Sequence, residues 1–362
     1  MTSTDQPRAP GDPIRWGILG SGRIAAEFAQ GLVQAEGAVL AAVGSRAKGS
    51  AERFAAAHGA LRAHGSYADL VADHAVDAVY VATPHVRHRD DCLLVIEAGK
   101  AVLCEKPFTI DAAQAEEVAA AARAKGVFCM EAMWMRFIPA VRRALELVQE
   151  GAIGELRMLT ADFGAPTPEE PGDRFYDPEL GGGALLDRGV YPVALAHALF
   201  GAPTAVHAAM AMTATGVDEH GGVLLQHEGG AIAALTSTLS GYASNAAVLV
   251  GTRGRIVLPE PFCRPDRLLL RLAPKSGGGS GGGGNPLVAA LKNNAAVRKL
   301  HRRLRGEADA IQAPYRGNGF CHEAEEVGRC LRAGMTESDV IPLDDSVAVM
   351  RTLDRIRGEW GA

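Results

Sequence analysis

Apolar residues in the first third of the chain come in short runs. Each is closed by glycine or polar residues and followed by a stretch with helical spacing. The runs at 14–19, 38–44, 76–82, 101–104 and 127–130 predict strands. The stretches 24–32, 50–58, 88–97 and 112–125 predict helices, with a short helical turn over 67–72. Asp111 stands where it can cap the helix 112–125, and Gly126 stands where that helix should stop. Apolar strands separated by helices predict a doubly wound parallel sheet covered on both faces, an α/β fold over residues 14–132.

After Trp134 the pattern changes. One more helix is predicted over 139–150. It is followed by β-rich stretches at 156–163, 205–212, 222–227, 231–240 and 246–251, with a helical stretch at 184–199 between the first two. Their close succession predicts a second, α/β domain over 133–362 built on a large, mostly antiparallel open sheet. Helices over 323–333 and 344–357 end the chain. Two segments fall outside this plan. Residues 1–13 are polar, lack the apolar core of a signal peptide and read as a disordered tail. Residues 276–306 read as an insertion, with a glycine-rich flexible part and then a basic, helix-like part. The basic part reads as a solvated surface helix; contact with an acidic partner or a membrane surface is the alternative.

Composition narrows the function. A formal net charge of −5 argues against a general nucleic-acid binder. No apolar run is long enough to span a bilayer. The six cysteines show no metal-ligand spacing, so they are expected to be reduced and mostly buried in a cytoplasmic protein.

The chemistry gathers at predicted strand ends. Gly20-Ser21-Gly22-Arg23-Ile24-Ala25 follows the first strand with the G-x-G-x-x-A spacing of a dinucleotide-binding turn. Gly20 permits the tight turn, Gly22 lets a pyrophosphate approach the backbone, and the helix N-terminus offers free N–H groups. The second strand ends in Ser45-Arg46 where a ribose 2′-hydroxyl reader would place an acid. Both residues can bind a 2′-phosphate, which predicts NADP over NAD; an ordinary solvated basic turn is the alternative. The third strand ends in Thr83-Pro84-His85, with His88 close behind, and the fourth in Glu105-Lys106-Pro107. Lys106 beside a nicotinamide can hold a substrate hydroxyl or pass protons. Asp187 and Tyr191 stand four residues apart, so on a helix they share a face that can flank a substrate hydroxyl. A phenol has an ordinary pKa near 10. Lys106 is therefore expected to bring Tyr191 closer to neutrality.

These motifs, with Gly181-Gly-Gly-Ala-Leu-Leu-Asp187, resemble the glucose–fructose oxidoreductase/inositol dehydrogenase (Gfo/Idh/MocA) family. Glu131-Ala-Met-Trp-Met-Arg-Phe-Ile-Pro139, Phe175-Tyr-Asp-Pro-Glu-Leu-Gly181 and Gly317-Asn-Gly-Phe320 are similar to its dihydrodiol and D-xylose dehydrogenase branch. The resemblance implies an N-terminal Rossmann domain and a C-terminal domain whose open sheet often forms the interface of a homo-oligomer, a dimer or tetramer. It also implies that Lys106 lies at the nicotinamide, and that His85, His88, Trp134 and Phe163 lie near the substrate pocket. Tyr191 stands where many members place histidine. Arg188 departs from the apolar residue usual after the aspartate. The expected function is an NADP-dependent oxidoreductase. It would act on the hydroxyl carbon of a sugar or vicinal diol, with Lys106, Asp187 and Tyr191 catalytic and no metal. A non-catalytic NADP-binding regulator or scaffold is the alternative.

Overall fold

A computed structural model of the chain describes residues 11–169, 173–273 and 309–361. The readings of a disordered tail up to residue 10 and of the insertion 276–306 lie outside the described residues.

The first half alternates as its pattern predicts. The strands are β1 (Ile14–Leu19), β2 (Ala38–Gly44), β3 (Arg62–His64), β4 (Ala78–Val81), β5 (Ala101–Glu105) and β6 (Cys129–Ala132). The helices are α1 (Arg23–Leu32), α2 (Lys48–His58), α3 (Tyr67–Val71), α4 (His88–Glu97) and α5 (Ala112–Lys125). The six strands are parallel in the order β3-β2-β1-β4-β5-β6. The order reverses between β1 and β4, so a crevice opens beyond their carboxyl ends. Local chemistry sets the α5 boundaries. Asp111 accepts a hydrogen bond from the Gln114 amide at 2.8 Å, and Gly126 ends the helix with φ of +66°. Beneath the crevice the core is aromatic: Phe28 stacks on Tyr80 with ring centroids 3.8 Å apart, and Trp16 meets Phe28 edge-on.

α6 (Pro139–Gln149) leads into the second sheet. Its strands are β7 (Leu156–Gly164), β8 (Ala205–Met212), β9 (Asp218–Gln226), β10 (Ile232–Thr238), β11 (Ala247–Gly251), β12 (Gly254–Leu258), β13 (Arg267–Leu272) and β14 (Asp309–Gln312). They run β14-β13-β12-β11-β7-β10-β9-β8. Only β7 and β10 pair in parallel; every other neighbouring pair is antiparallel. α6 and α7 (Val190–Phe200) pack on this sheet. The last two helices, α8 (Cys321–Arg332) and α9 (Leu343–Gly358), return to the first sheet, α8 against α1 and α9 against both α5 and α7. The Ala112 amide donates to Asp354 at 2.8 Å, and the Ser346 hydroxyl to Glu131 at 2.7 Å. Through these contacts the C-terminal helices tie the two sheets together.

Three expectations change in detail. The stretch expected as a strand from 222 begins at Asp218. β3, β12, β13 and β14 are additional strands. The expected helix over 184–199 is a wide turn of π-type hydrogen bonding, Leu185–Gly189, that runs into α7. An extra residue inserted in a helical ladder of this kind re-aims the side chains around it.

Candidate active site

The carboxyl ends of the first sheet and the open end of the second enclose a cleft of about 740 Å³. Gly20 turns the chain out of β1 with φ of +106°, and a Cβ there would lie 2.7 Å from the Ala82 carbonyl oxygen. Only glycine fits that turn. Gly22 opens α1 and faces free space on its Cβ side. α1 has no side-chain cap and no acidic residue in its first turn. Its N-terminal amides and positive dipole end are thus left for an anion, as a dinucleotide pyrophosphate requires. Ser21, Arg23 and Ile24 line the same end, with Ser45 and Arg46 from the end of β2. The Ser21 and Ser45 hydroxyls lie 3.3 Å apart. These residues fit a dinucleotide. Together they would hold its pyrophosphate and the ribose next to it.

Lys106 follows β5. Its ammonium donates to the Asp187 backbone oxygen at 2.8 Å and to Asp187 Oδ1 at 3.2 Å. The same nitrogen stands 4.8 Å from the centre of the Tyr191 ring. Asp187 Oδ1 also accepts from Arg174 at 3.1 Å, and Arg188 Nε lies 3.8 Å from Oδ2. Burial alone would raise the Asp187 pKa. The charges of Lys106 and Arg174 outweigh it and hold the carboxyl far below the usual range, fully ionised. Asp187 and Tyr191 do meet at Lys106, but across the π-type turn rather than along one regular helix face.

Tyr191 departs from expectation. Its hydroxyl accepts from Trp134 Nε1 at 2.8 Å, and the Phe163 ring packs edge-on at 5.1 Å. The pKa is raised well above 10, first by burial and then by the neighbouring Cys263 and Glu105; the Trp134 bond offsets this only in part. Lys106 therefore does not bring the phenol to neutrality here. Its ammonium is spent on Asp187 and lies over the ring rather than on the hydroxyl.

Burial disfavours the charged form of both histidines at the cleft. Burial pushes His85 down to about 3. Its Nδ1 lies 3.1 Å from the Gly181 carbonyl oxygen, while Nε2 faces Arg174 at 3.3 Å and so accepts. His88 is fully buried and pushed down to about 4 by that burial. Its ring nitrogens face the carbonyl oxygens of Pro107 and Thr83 at 2.8 and 3.0 Å. It borders the cleft, and its ring nitrogens also contact the backbone around Pro84 and Lys106. Glu105 acts similarly: it accepts from the Tyr80 hydroxyl and the Lys106 amide, and burial raises its pKa.

Every candidate cofactor, substrate and catalytic residue named from the sequence lines this one cleft, Thr83, Pro84, Trp134 and Phe163 included. Others were missed. Arg174, Phe175, Cys263, Arg264 and Phe320 also line it. Phe320 stacks on Trp134 at 5.1 Å, and the Arg174 guanidinium lies 4.2 Å from the Phe175 ring centre. Arg188 turns inward and donates to the Ala165 and Thr238 carbonyls at 2.5 Å and to the Thr167 hydroxyl. Two buried acids brace the site from behind. Asp218 accepts from the Leu185 amide at 2.6 Å, under the turn that carries Asp187; burial lifts its pKa to about 6. Glu131 accepts from the Phe108 amide at 3.0 Å and is lifted to about 7 by burial. Among the described residues one group, Glu326, Cys330 and Asp339, has metal-ligand proximity. It does not line the cleft, and Arg329 already bridges its two carboxylates.

A family model described as "Oxidoreductase family, NAD-binding Rossmann fold" matches residues 14–133, and the Gfo/Idh/MocA C-terminal domain matches 141–257. The chain belongs to the Gfo/Idh/MocA family of oxidoreductases. Over 361 residues it is 35% identical to the trans-1,2-dihydrobenzene-1,2-diol dehydrogenase of Mus musculus, covering 96% of this chain and 97% of that protein. The human protein of that name is 34% identical, with the same coverage. Among solved structures, a 3-ketoreductase from Actinomadura kijaniata in complex with NADP and TDP-benzene superposes with a TM-score of 0.79. It is 28% identical and covers 96% of this chain and 98% of its own. An aldose-aldose oxidoreductase from Caulobacter crescentus, 24% identical, shares the fold with a TM-score of 0.79 over 96% and 97% of the two chains. As a member of this family the protein is an NAD(P)-dependent oxidoreductase acting on CH–OH groups, which sets aside the non-catalytic alternative. No helix among the described residues is long and apolar enough to cross a membrane.

Proposed function

We propose that the protein is an NADP-dependent oxidoreductase acting on the hydroxyl carbon of an aldose-like sugar or a vicinal diol. The observation that carries this reading is the meeting of Lys106, Asp187 and Tyr191 in the cleft that also holds the Gly20–Gly22 turn. The cofactor, when bound, supplies the hydride acceptor or donor. The protein's part is the proton and the position. Tyr191 exchanges the hydroxyl proton, and Lys106 steadies charge that develops on the oxygen. Asp187 holds Lys106 and orients the substrate, while Trp134, Phe163 and Phe320 give an apolar wall for a sugar or ring face. A phenol held protonated starts as a donor, which favours reduction of a carbonyl. The diol and ketone substrates in the relatives' names agree with this chemistry. Turnover on a panel of aldoses, polyols and diols with their ketones, followed by nicotinamide absorbance, tests it. A folded, cofactor-binding protein inert on the whole panel would sink the reading.

The cofactor preference rests on Ser45 and Arg46, with no acid at that strand end. Arg46→Ala should weaken NADP by roughly 10- to 100-fold, the size of a charge-assisted contact, and leave NAD little changed. Equal affinities for the two dinucleotides in the parent would overturn the assignment.

We assign residues 14–132 to cofactor binding and 133–362 to the substrate and to self-association. The outer face of the second sheet carries a concavity of about 660 Å³ lined by Thr160, Ala208, Leu224, Thr236 and Val248. Met158 and Leu224 are exposed on its strands, as suits a homo-oligomer joined through this sheet. Sedimentation as a monomer at assay concentration would argue against it. The six buried, unpaired cysteines favour a reducing, cytoplasmic setting, which fractionation of the native protein checks.

A further inference from the structure

The substrate end of the cleft is more positive than a neutral sugar or diol requires. Four cations line it: Lys106, Arg174, Arg188 and Arg264. Two carboxylates face them, Asp187 and Glu105. Glu105 is turned away, bonded to Tyr80 and to the Lys106 amide. Asp187 alone answers Lys106, Arg174 and Arg188. Burial disfavours the charged form of His85 and His88, so neither adds a negative charge to answer these cations.

The four cations differ in what remains free. Arg188 spends its guanidinium nitrogens on two carbonyls and a hydroxyl, so it offers the cleft charge but few donors. Arg174 spends one edge on Asp187 and His85, and its side chain is 38% exposed. Arg264, in the loop after β12, is exposed, lines the cleft, and has no hydrogen-bonding or ion-pair partner for its guanidinium among the described residues. The phosphate-binding turn has its own cations, Arg23 and Arg46, at the other end of the cleft. Cofactor phosphates therefore do not account for Arg264.

We infer that the natural substrate carries an anionic group, a carboxylate or a phosphate, which Arg264 binds with help from Arg174 while the reacting carbon lies at Lys106 and Tyr191. A fixed guanidinium fork suits either anion, and excess positive charge in a walled cleft concentrates anions there. The inference rests on the sugar or diol oxidoreductase reading and narrows it to acidic or phosphorylated members of that class.

The test uses a matched set: D-glucose, D-glucuronate and D-glucose 6-phosphate. Each is assayed with NADP for turnover, and separately for the rise in melting temperature of the NADP-bound protein. One of the two anions should surpass D-glucose in kcat/KM by about tenfold or more, and which one wins separates carboxylate from phosphate. Arg264→Met should raise KM for the preferred anion roughly 10- to 100-fold more than for D-glucose, with the effect in KM rather than kcat. Arg264→Lys should recover part of it, and added salt should erode the parent's preference. If none of the three is turned over, the oxidoreductase reading suffers but the melting data still decide the charge question. Stabilisation by an anion and not by D-glucose, lost in Arg264→Met, supports the inference. Equal response to all three ligands, or an Arg264→Met change that is the same for neutral and charged ligands, overturns it.

Discussion

Lys106→Met and Tyr191→Phe are each expected to lower turnover by roughly 10²–10⁴-fold, the usual span of a general acid–base contribution. The phenol is the polar group of the cleft best placed to give a proton. It is buried, held protonated, and fixed by Trp134 at 2.8 Å with its ring 4.8 Å from the Lys106 ammonium. Phenylalanine keeps the ring and its edge-on contact with Phe163, so the cleft wall survives while the proton is lost. Methionine at 106 keeps much of the aliphatic length and removes the charge. Neither residue belongs to the Gly20–Gly22 turn, so NADP affinity should change far less than turnover. If the two act as one unit, the double variant loses much less than the product of the single losses. Near-parental turnover of folded, NADP-saturated Tyr191→Phe on the best substrate would refute the assignment. The histidines would be poor replacements, because the ring nitrogens of His85 and His88 face protein groups and burial disfavours the charged form of both.

The sequence makes one side of this site easy to read. In the first sheet each apolar run ends at a turn, and ligands collect beyond those ends. Gly20, Ser45, Thr83, Lys106 and Trp134 are therefore placed by counting along the chain. Asp111 and Gly126 mark their helix because capping is local chemistry. The other side is set by tertiary contacts. Arg264 comes from a loop after β12, a strand too short and mixed in pattern to stand out. β14, four residues with alternating burial at the sheet edge, is equally faint. Asp218 looks like a polar residue at a strand start until the fold sets it under the Leu185 amide. His88 reads as a ligand because it follows a ligand-rich strand end. Its burial and its contacts with two backbone carbonyls are features that the spacing does not reveal. The four-residue spacing of Asp187 and Tyr191 does bring them together, but the π-type turn that does so has no signature in the spacing itself.

Asp187→Asn should cost stability as well as activity, because one carboxylate balances a buried cationic cluster. Lys106, Arg174 and Arg188 all lie within 4 Å of it, and the Lys106 and Arg188 side chains are each only 11% exposed. Removing the negative partner of a buried pair costs about 3 kcal/mol or more, because the stranded charge has no water to turn to. The figure belongs at the low end, since Arg174 is 38% exposed and can swing outward. The pH dependence has a definite sign. Asp187 has its pKa lowered in the fold, so its contribution is fully present above the ordinary aspartate value, about 3.9, and is lost as pH falls below that. In urea melts the gap between parent and Asp187→Asn should therefore stay level from pH 7 to pH 5 and close only in stronger acid. Groups out of reach of Asp187 are common to both proteins and cancel in that difference, and His85, whose pKa Asp187 raises but burial holds at about 3, titrates below the pH 5–7 window. A gap that already closes by pH 5 would mean the carboxylate is not held ionised by its neighbours. Adding Lys106→Met to Asp187→Asn gives a second check. Removing the stranded ammonium should return part of the lost stability, a non-additivity expected only for groups in direct contact. A purely additive further loss would show instead that Asp187 stabilises the turn through its shape, not its charge.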